Sequence, residues 1–472
     1  MGETFVVIGG DAAGMSAASK AKRENPDLDV IVFEKGEWVS YGACGMPYYV
    51  KGEIAELEDL VAITPEEFRE ERNIDLRTHS EVVGIDREAK TVTVERSEAN
   101  RASEPRAGRN DPRANDDGTY EQAYDDLLVA TGARAIRPPI DGMDLDGVFT
   151  FHSMERAREV RDIVAGDAAE RPESVGIIGG GYIGLEMAEA FDARGLDVSV
   201  FEMLPHVLAP FGDSIAETVE DHLREQGVSL HLDTLVEEIS GEQGRVAAIE
   251  TEDDRYSVDS VLVATGVAPN AELAESAGIE LGETGAIATD EYGRTDDPHV
   301  YAAGDCAEAH NVVTDAPDYV PLALTANRAG RAIGATVAGD PTEVGGIVGT
   351  AVVKVFDLEV ARTGVTDPEV AEEAGFDPVS QVVTAGSRAH YYPGGEPITV
   401  EMVGDRETGR LLGAAMVGEE GVAKRIDTVA TALHAGMTVE EVQNLDLSYA
   451  PPFGPTWDPV LTAAKVLSGK LE

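Results

Sequence analysis

Cysteine is almost absent from this chain: its 472 residues include two, Cys44 and Cys306. Two thiols cannot build a disulfide framework. Cations are scarce as well, 37 Lys and Arg against 89 Asp and Glu, for a formal net charge of −52. Such a chain repels polyanions, so neither nucleic acid nor a membrane surface is an expected partner. The carboxylates are spread along the chain rather than gathered in a tail. That reads as a solvated acidic surface whose self-repulsion salt screens, which suits a saline cytoplasm. No apolar run approaches the roughly 18 residues that span a bilayer. Met1-Gly2-Glu3-Thr4 lacks a basic leader region, so no signal peptide is expected. His and Cys never cluster at ligand spacing, so no metal site is expected. A cytoplasmic protein of two or three domains is the reading that remains.

Glycine, by contrast, is plentiful and placed with purpose. The apolar run Thr4–Ile8 suits a buried parallel strand, and Gly9-Gly10-Asp11-Ala12-Ala13-Gly14 follows it before a small-residue helix. Glycines at such a turn let the backbone approach a pyrophosphate at a helix N-terminus. Asp11 stands where the middle glycine of G-x-G-x-x-G belongs. The strand Val30–Phe33 then ends at Glu34, twenty residues after Gly14, where an acid grips ribose hydroxyls. Leu127-Leu128-Val129-Ala130-Thr131-Gly132 is a further strand running into a small-residue turn.

The same pattern recurs. Val175–Ile178 leads into Gly179-Gly180-Gly181-Tyr182-Ile183-Gly184, a full G-x-G-x-x-G, then a helix, the strand Val198–Phe201 and Glu202. Glu202 followed by Met203 and Leu204 favours a ribose over a 2′-phosphate, hence NADH over NADPH. Val261-Leu262-Val263-Ala264-Thr265-Gly266 repeats the earlier Ala-Thr-Gly. Two dinucleotide sites in one chain suggest electrons passing between two dinucleotides.

Residues 97–119 are polar and lack a hydrophobic period, reading as an insert between two strands. Val300–Ala303 ends in Gly304-Asp305, where an acid could bind the ribityl hydroxyls of a flavin; Cys306 reads as a small buried residue. From about 335, short β-rich runs and an apparent helix near 422–435 indicate an α+β domain, closed by the rigid aromatic loop Tyr449-Ala450-Pro451-Pro452-Phe453.

The lone thiol Cys44 lies in Ser40-Tyr41-Gly42-Ala43-Cys44-Gly45-Met46-Pro47-Tyr48-Tyr49. With the Gly304-Asp305 strand end and Tyr449-Ala450-Pro451-Pro452, this stretch resembles the pyridine nucleotide-disulfide oxidoreductases over nearly the whole chain. Within them it is most similar to the single-cysteine branch, the coenzyme A-disulfide reductases and their NADH oxidase, NADH peroxidase and polysulfide reductase relatives.

The resemblance implies a glutathione reductase-like α/β architecture: two Rossmann-like dinucleotide-binding domains plus a C-terminal α+β dimerisation domain. Residues 1–150 and 271–334 would form the FAD-binding domain, 151–270 the NAD(P)H-binding domain and 335–472 the interface of a homodimer. Gly9, Gly14, Glu34, Lys35, Thr131, Gly132, Arg134 and Asp305 would hold FAD. Gly179, Gly181, Gly184, Glu202 and Gly266 would contact NADH, with NADPH possible. Cys44 would be the redox centre, with Tyr391 and Tyr449 reaching the partner subunit's Cys44. Ser16, Lys20, Arg23 and Ser40 would contact coenzyme A.

Two departures bear on substrate. Ala43 replaces an asparagine common in coenzyme A-disulfide reductases. Ala12 replaces the histidine of oxygen- and peroxide-reducing relatives, which counts against those activities. No extra domain of the kind that some polysulfide-reducing relatives append is expected. Tyr49 occupies the second position of C-x4-C, so no internal disulfide is available and a mixed disulfide between Cys44 and a substrate thiol is expected. Coenzyme A disulfide is the favoured substrate. NADH oxidase or polysulfide reductase activity on the same scaffold is the alternative, and a non-enzymatic flavoprotein sensor the least favoured.

Overall fold

The computed structural model describes residues 3–96, 119–166 and 171–471. Most of the expected insert 97–119 lies outside the described residues; its last residue, Thr119, opens the strand Thr119–Ala123, which pairs with Thr91–Arg96.

Two five-stranded parallel sheets share one plan. In the first the order is Val300–Ala302, Asp126–Val129, Thr4–Ile8, Asp29–Phe33, Asp75–Arg77. In the second it is Val148–Thr150, Ser260–Val263, Ser174–Ile178, Asp197–Phe201, Ser229–His231. The middle strands are apolar after their first residue, save Ser199, because both faces are covered. Each sheet is accompanied by a three-stranded antiparallel meander, Ser80–Asp86 with Thr91–Arg96 and Thr119–Ala123, and Val236–Glu242 with Arg245–Thr251 and Arg255–Ser257. The internal repeat read from the glycines is therefore a repeat of topology.

The outer strand differs in origin. The first sheet takes it from far downstream, while the second takes Val148–Thr150 from just upstream, on the near side of the expected boundary at 150. A three-residue strand carries too little pattern to declare which sheet it joins.

Helix Ala12–Glu24 packs against helix Ala323–Val337 at very close range. A Cβ on Gly330 would stand 2.2 Å from the Ala13 carbonyl, and one on Gly334 2.4 Å from that of Ala17. Alanine-rich and glycine-rich faces make this approach possible, and it brings the 323–337 helix beside Ser16 and Lys20.

The C-terminal region is an antiparallel sheet in the order Ala351–Val355, Leu358–Gly364, Leu411–Gly418, Pro397–Asp405, Pro378–Gly386. Its central strand Leu411–Gly418 is buried at every position: Leu412, Ala414 and Met416 share a core with helices Val422–His434 and Pro459–Leu471, while Ala415 and Val417 face a second core that holds Val219 and Leu223 of helix Asp213–Glu225. No helix among the described residues is long and apolar enough to cross a membrane.

Candidate active site

The two glycine turns are built alike. A Cβ on Gly14 would meet the Gly9 carbonyl at 2.0 Å, and one on Gly184 would meet that of Gly179 at 2.0 Å. Gly9 and Gly179 have φ of +111° and +108° and abut the carbonyls of Ala130 and Ala264. Only glycine tolerates both demands. The acids are matched as well. Glu34 accepts from Gly10 N (2.8 Å) and Gly36 N (2.7 Å), and Glu202 accepts from Gly180 N (2.7 Å) and Leu204 N (2.9 Å). Each carboxylate oxygen keeps a free lone pair for a ribose hydroxyl. Gly181 faces open space, and Gly266 has φ +103° at the matching Ala-Thr-Gly turn.

Asp305 is largely buried at the end of Val300–Ala302, and burial pushes its carboxyl up. No side-chain or backbone donor among the described residues bonds that carboxylate, which leaves it free to accept from ligand hydroxyls. Gly132, φ +67°, has nothing within 4 Å of a would-be Cβ. Thr131 and Arg134 are less free than expected. Thr131 Oγ1 donates to Asn270 O (2.6 Å), while Arg134 bonds Pro269 O (2.8 Å) and Asn270 Oδ1 (3.1 Å) and pairs with Glu272. Lys35 is exposed.

Cys44 lies in the short 3-10 turn Ala43–Gly45, directly before helix Met46–Lys51, and is exposed. The stretch before it is tied to the first glycine turn: Ser40 N donates to Gly10 O (3.0 Å) and Tyr41 N to Asp11 Oδ1 (3.2 Å). Ser40 itself sits at φ +48°. Partial burial pushes the Cys44 thiol up, and the carboxylates of Glu186, Asp305 and Asp11 push it further.

Two of these carboxyls were not singled out from the sequence. Glu186 follows the second glycine turn on helix Tyr182–Ala193, and accepts the Tyr48 hydroxyl at 3.2 Å. Burial and the charge of Glu189 raise its carboxyl to about 7. Asp11 is raised to about 7 by burial and by the charges of Glu34 and Asp305, against the Tyr41 amide that lowers it. Burial and Glu186 push the Tyr48 hydroxyl well up. The substitution of Asp11 for glycine was a usable signal; Glu186, seven residues after Gly179, carried none that separates it from a surface acid.

Ser16 and Lys20 line a cleft of ≈ 570 Å³ with Asn327, Arg328 and Arg331. Ser16 Oγ donates to Asn327 Oδ1 at 2.6 Å. Lys20 pairs with Glu24 at 2.7 Å, and Arg23 is exposed on the same helix. Tyr391 and Tyr449 lie on neighbouring loops of the C-terminal region. Ala389 N donates to Pro451 O (3.3 Å), and Arg425 bonds both Ser387 O (3.0 Å) and Phe453 O (3.2 Å). Tyr391, Tyr449, Phe453 and Trp457 are 66, 56, 82 and 54% exposed, an aromatic patch uncovered in the single chain.

Residues 3–330 match the pyridine nucleotide-disulphide oxidoreductase family, and residues 350–459 match the dimerisation domain of the same family. The chain belongs to the pyridine nucleotide-disulphide oxidoreductases. As a member of that family it is an oxidoreductase that couples FAD to NADH or NADPH. It is 42% identical over 466 residues, 98% of each chain, to the CoA-dependent NAD(P)H sulfur oxidoreductase of Pyrococcus abyssi. It is 30% identical over 450 residues, 95% of this chain and 96% of the other, to the coenzyme A disulfide reductase of Staphylococcus aureus. Among solved structures, the NAD-dependent persulfide reductase of A. fulgidus superposes with a TM-score of 0.91 at 40% identity, covering 99% of this chain and 83% of that one. The first glycine turn, Glu34, Gly132 and the unbonded Asp305 fit the FAD of this family; the second turn and Glu202 fit its pyridine nucleotide.

Proposed function

We propose that the protein uses NAD(P)H to reduce a sulfur–sulfur bond carried by coenzyme A, with Cys44 as the sole redox sulfur. The single observation that carries this reading is the isolation of Cys44: the other thiol, Cys306, is fully buried in the core between the first parallel sheet and its meander. The electron-accepting sulfur must then come from the substrate.

Bound FAD supplies the relay that passes the electron pair of the nicotinamide to sulfur. This chain's residues manage the sulfur and the proton. Glu186 takes the proton of the Cys44 thiol as the sulfur attacks one sulfur of the substrate. A bond forms between Cys44 Sγ and that sulfur, the substrate S–S bond breaks, and the leaving thiolate takes the proton from Glu186. Two electrons then break the mixed disulfide and release coenzyme A; two protons, one delivered with the hydride of NAD(P)H and one from solvent, leave both coenzyme A and Cys44 as thiols. The sum is NAD(P)H, one proton and a disulfide giving NAD(P)+ and two thiols. Tyr48 orients Glu186 throughout.

Lys20, Arg328 and Arg331 suit the phosphates of coenzyme A, with Ser16 and Asn327 beside them; Ser40, tied to the glycine turn, would extend the path toward Cys44, and Arg23, in the last turn of the helix, would extend it the other way. A second copy of the chain would cover the aromatic patch of Tyr391 and Tyr449 and carry both tyrosines to the partner subunit's Cys44, in a homodimer within a saline cytoplasm. Residues 1–150 with 271–334, then 151–270, then 335–472 would serve as the three working units, with the strand Val148–Thr150 going to the second. Glu202 beside Met203 and Leu204, with no cation, supports NADH over NADPH.

A coenzyme A persulfide is the second substrate, favoured by the sulfur and persulfide reductases at 42% and 40% identity. The same attack by Cys44 would then release hydrosulfide. Oxygen is less suited, because Ala12 stands where oxygen- and peroxide-reducing relatives carry a histidine.

The test is anaerobic thiol release from coenzyme A disulfide with NADH in molar salt. Release that vanishes in Cys44→Ser, while NADH still bleaches the flavin, supports the reading. Full turnover in Cys44→Ser sinks it. Hydrosulfide release from coenzyme A persulfide, with the disulfide inert, would make persulfide the substrate.

A further inference from the structure

The helix Met46–Lys51 belongs by sequence to the first unit, yet apart from the local Lys51–Glu53 pair its hydrogen-bonding side-chain anchors come from residues 161–194. Tyr48 is bonded to Glu186, one turn before Glu189 on helix Tyr182–Ala193, and Lys51 Nζ donates to Glu189 at 2.7 Å. Both pairs follow the i, i+3 spacing that places side chains on one helix face. Arg194 Nε donates to Val50 O (2.8 Å), and Arg161 bonds Ile54 O (3.2 Å) and Ala55 O (2.8 Å), covering carbonyls at the helix end and just beyond it. Gly52, at φ +98°, stops the helix where Arg194 leaves no room for a side chain.

Glu189 does more than complete this set. It is 5% exposed, and its carboxylate also accepts from Lys354 Nζ and from Phe356 N (3.0 Å) in the first hairpin of the C-terminal sheet. One buried acid thus joins the Cys44 helix, the helix behind the nucleotide turn and the C-terminal sheet. The titratable and charged groups that meet here are Lys51, Lys354, Glu186, Tyr48 and Glu53.

We propose that Glu189 is a positioning residue for Cys44, holding the helix that starts at the thiol in fixed register against the pyridine-nucleotide unit through Lys51 and Lys354. The carboxylate touches neither substrate nor thiol. Its work is geometric: a thiol that must meet substrate on one side and accept electrons on the other tolerates little misplacement. The inference rests on Cys44 being the reactive sulfur. The alternative is an ion cluster that only adds stability, and buried ion pairs are replaceable by apolar groups at little cost in stability. The two roles therefore separate experimentally.

The experiment compares FAD-loaded wild type with Glu189→Gln and with the charge-free triple variant Lys51→Met/Glu189→Leu/Lys354→Met. The deciding readout is the rate of Cys44 alkylation by iodoacetamide against pH, normalised to bound FAD. A positioning role changes that rate by at least about threefold at a given pH in the triple variant. Turnover with the disulfide should fall at least about tenfold, while NADH reduces the flavin at the wild-type rate. An alkylation profile within twofold of wild type overturns the proposal, whatever happens to the melting temperature or to turnover. If Glu189→Gln does not fold, the triple variant, which leaves no buried charge unpaired, decides alone. Alkylation does not depend on turnover, so it reads Glu189 even where Cys44→Ser has shown that another group does the redox chemistry.

Discussion

The hydroxyl of Tyr48 and the carboxylate of Glu186 meet at 3.2 Å across the boundary between the Cys44 helix and the helix of the second glycine turn. Glu186 is raised to about 7 and in turn pushes the Cys44 thiol up, so a proton near neutral pH has two places to reside within one site. Glu186→Gln removes a negative charge beside the thiol. Cys44 should then ionise at lower pH and alkylate faster at pH 7, while kcat for disulfide reduction falls by about 10²-fold for want of the acid–base group. Parallel alkylation and steady-state assays check both; slower alkylation would contradict the charge argument.

The matched glycines give a paired prediction. Gly14→Ala drives a methyl into the Gly9 carbonyl and should yield protein without flavin. Gly184→Ala drives one into the Gly179 carbonyl at the same 2.0 Å and should retain flavin but lose its reduction by NADH. Flavin absorbance and anaerobic NADH titration separate the two outcomes.

Asp11 and Glu186 set a pH dependence of opposite sign to ordinary salt-bridged carboxylates. Both folded values, about 7, lie above the ordinary values 3.8 and 4.5. Their stabilising contribution is complete below the ordinary values and is lost as pH rises through about 7. In FAD-free protein, Asp11→Asn/Glu186→Gln should therefore gain on wild type between pH 5 and 8, by at most about 1.4 kcal/mol per pH unit for each group. Urea melts across that range measure the difference; a constant gap would refute it.

Salt should matter more than for a neutral enzyme. With a net charge of −52, repulsion acts over roughly 10 Å at 0.1 M salt and roughly 3 Å at 1 M. Thermal melts should rise by several degrees between these conditions, and potassium chloride should act at least as well as sodium chloride. A melting point that is flat with salt would show that the surface carboxylates are already neutralised.

Local signals were the legible ones. The glycine turns, Glu34, Glu202 and both Ala-Thr-Gly turns could be read because a strand, a turn and an acid at fixed spacing lie within a few dozen residues. Cys44 could be read because of its neighbours. Glu186 and Glu189 could not, since an acid on an amphipathic helix looks the same whether it faces solvent or Lys51. The pairing of Val148–Thr150 was hidden for a related reason: which sheet a three-residue strand joins is set by tertiary packing. Tyr391 and Tyr449 carry a motif, yet the surface they share takes shape only when Arg425 gathers their two loops.

Cys306 is fully buried, its sulfur lying 3.4 Å from the Ala303 carbonyl and 3.5 Å from that of Val129. The folded chain therefore offers thiol reagents a single address. A spin label, fluorophore or mass tag added to native protein reports Cys44 alone, with no engineering of a cysteine-free background. The number of tags per flavin in a purified sample would then count the reduced fraction of the enzyme directly, and its shortfall from one the fraction held as a mixed disulfide.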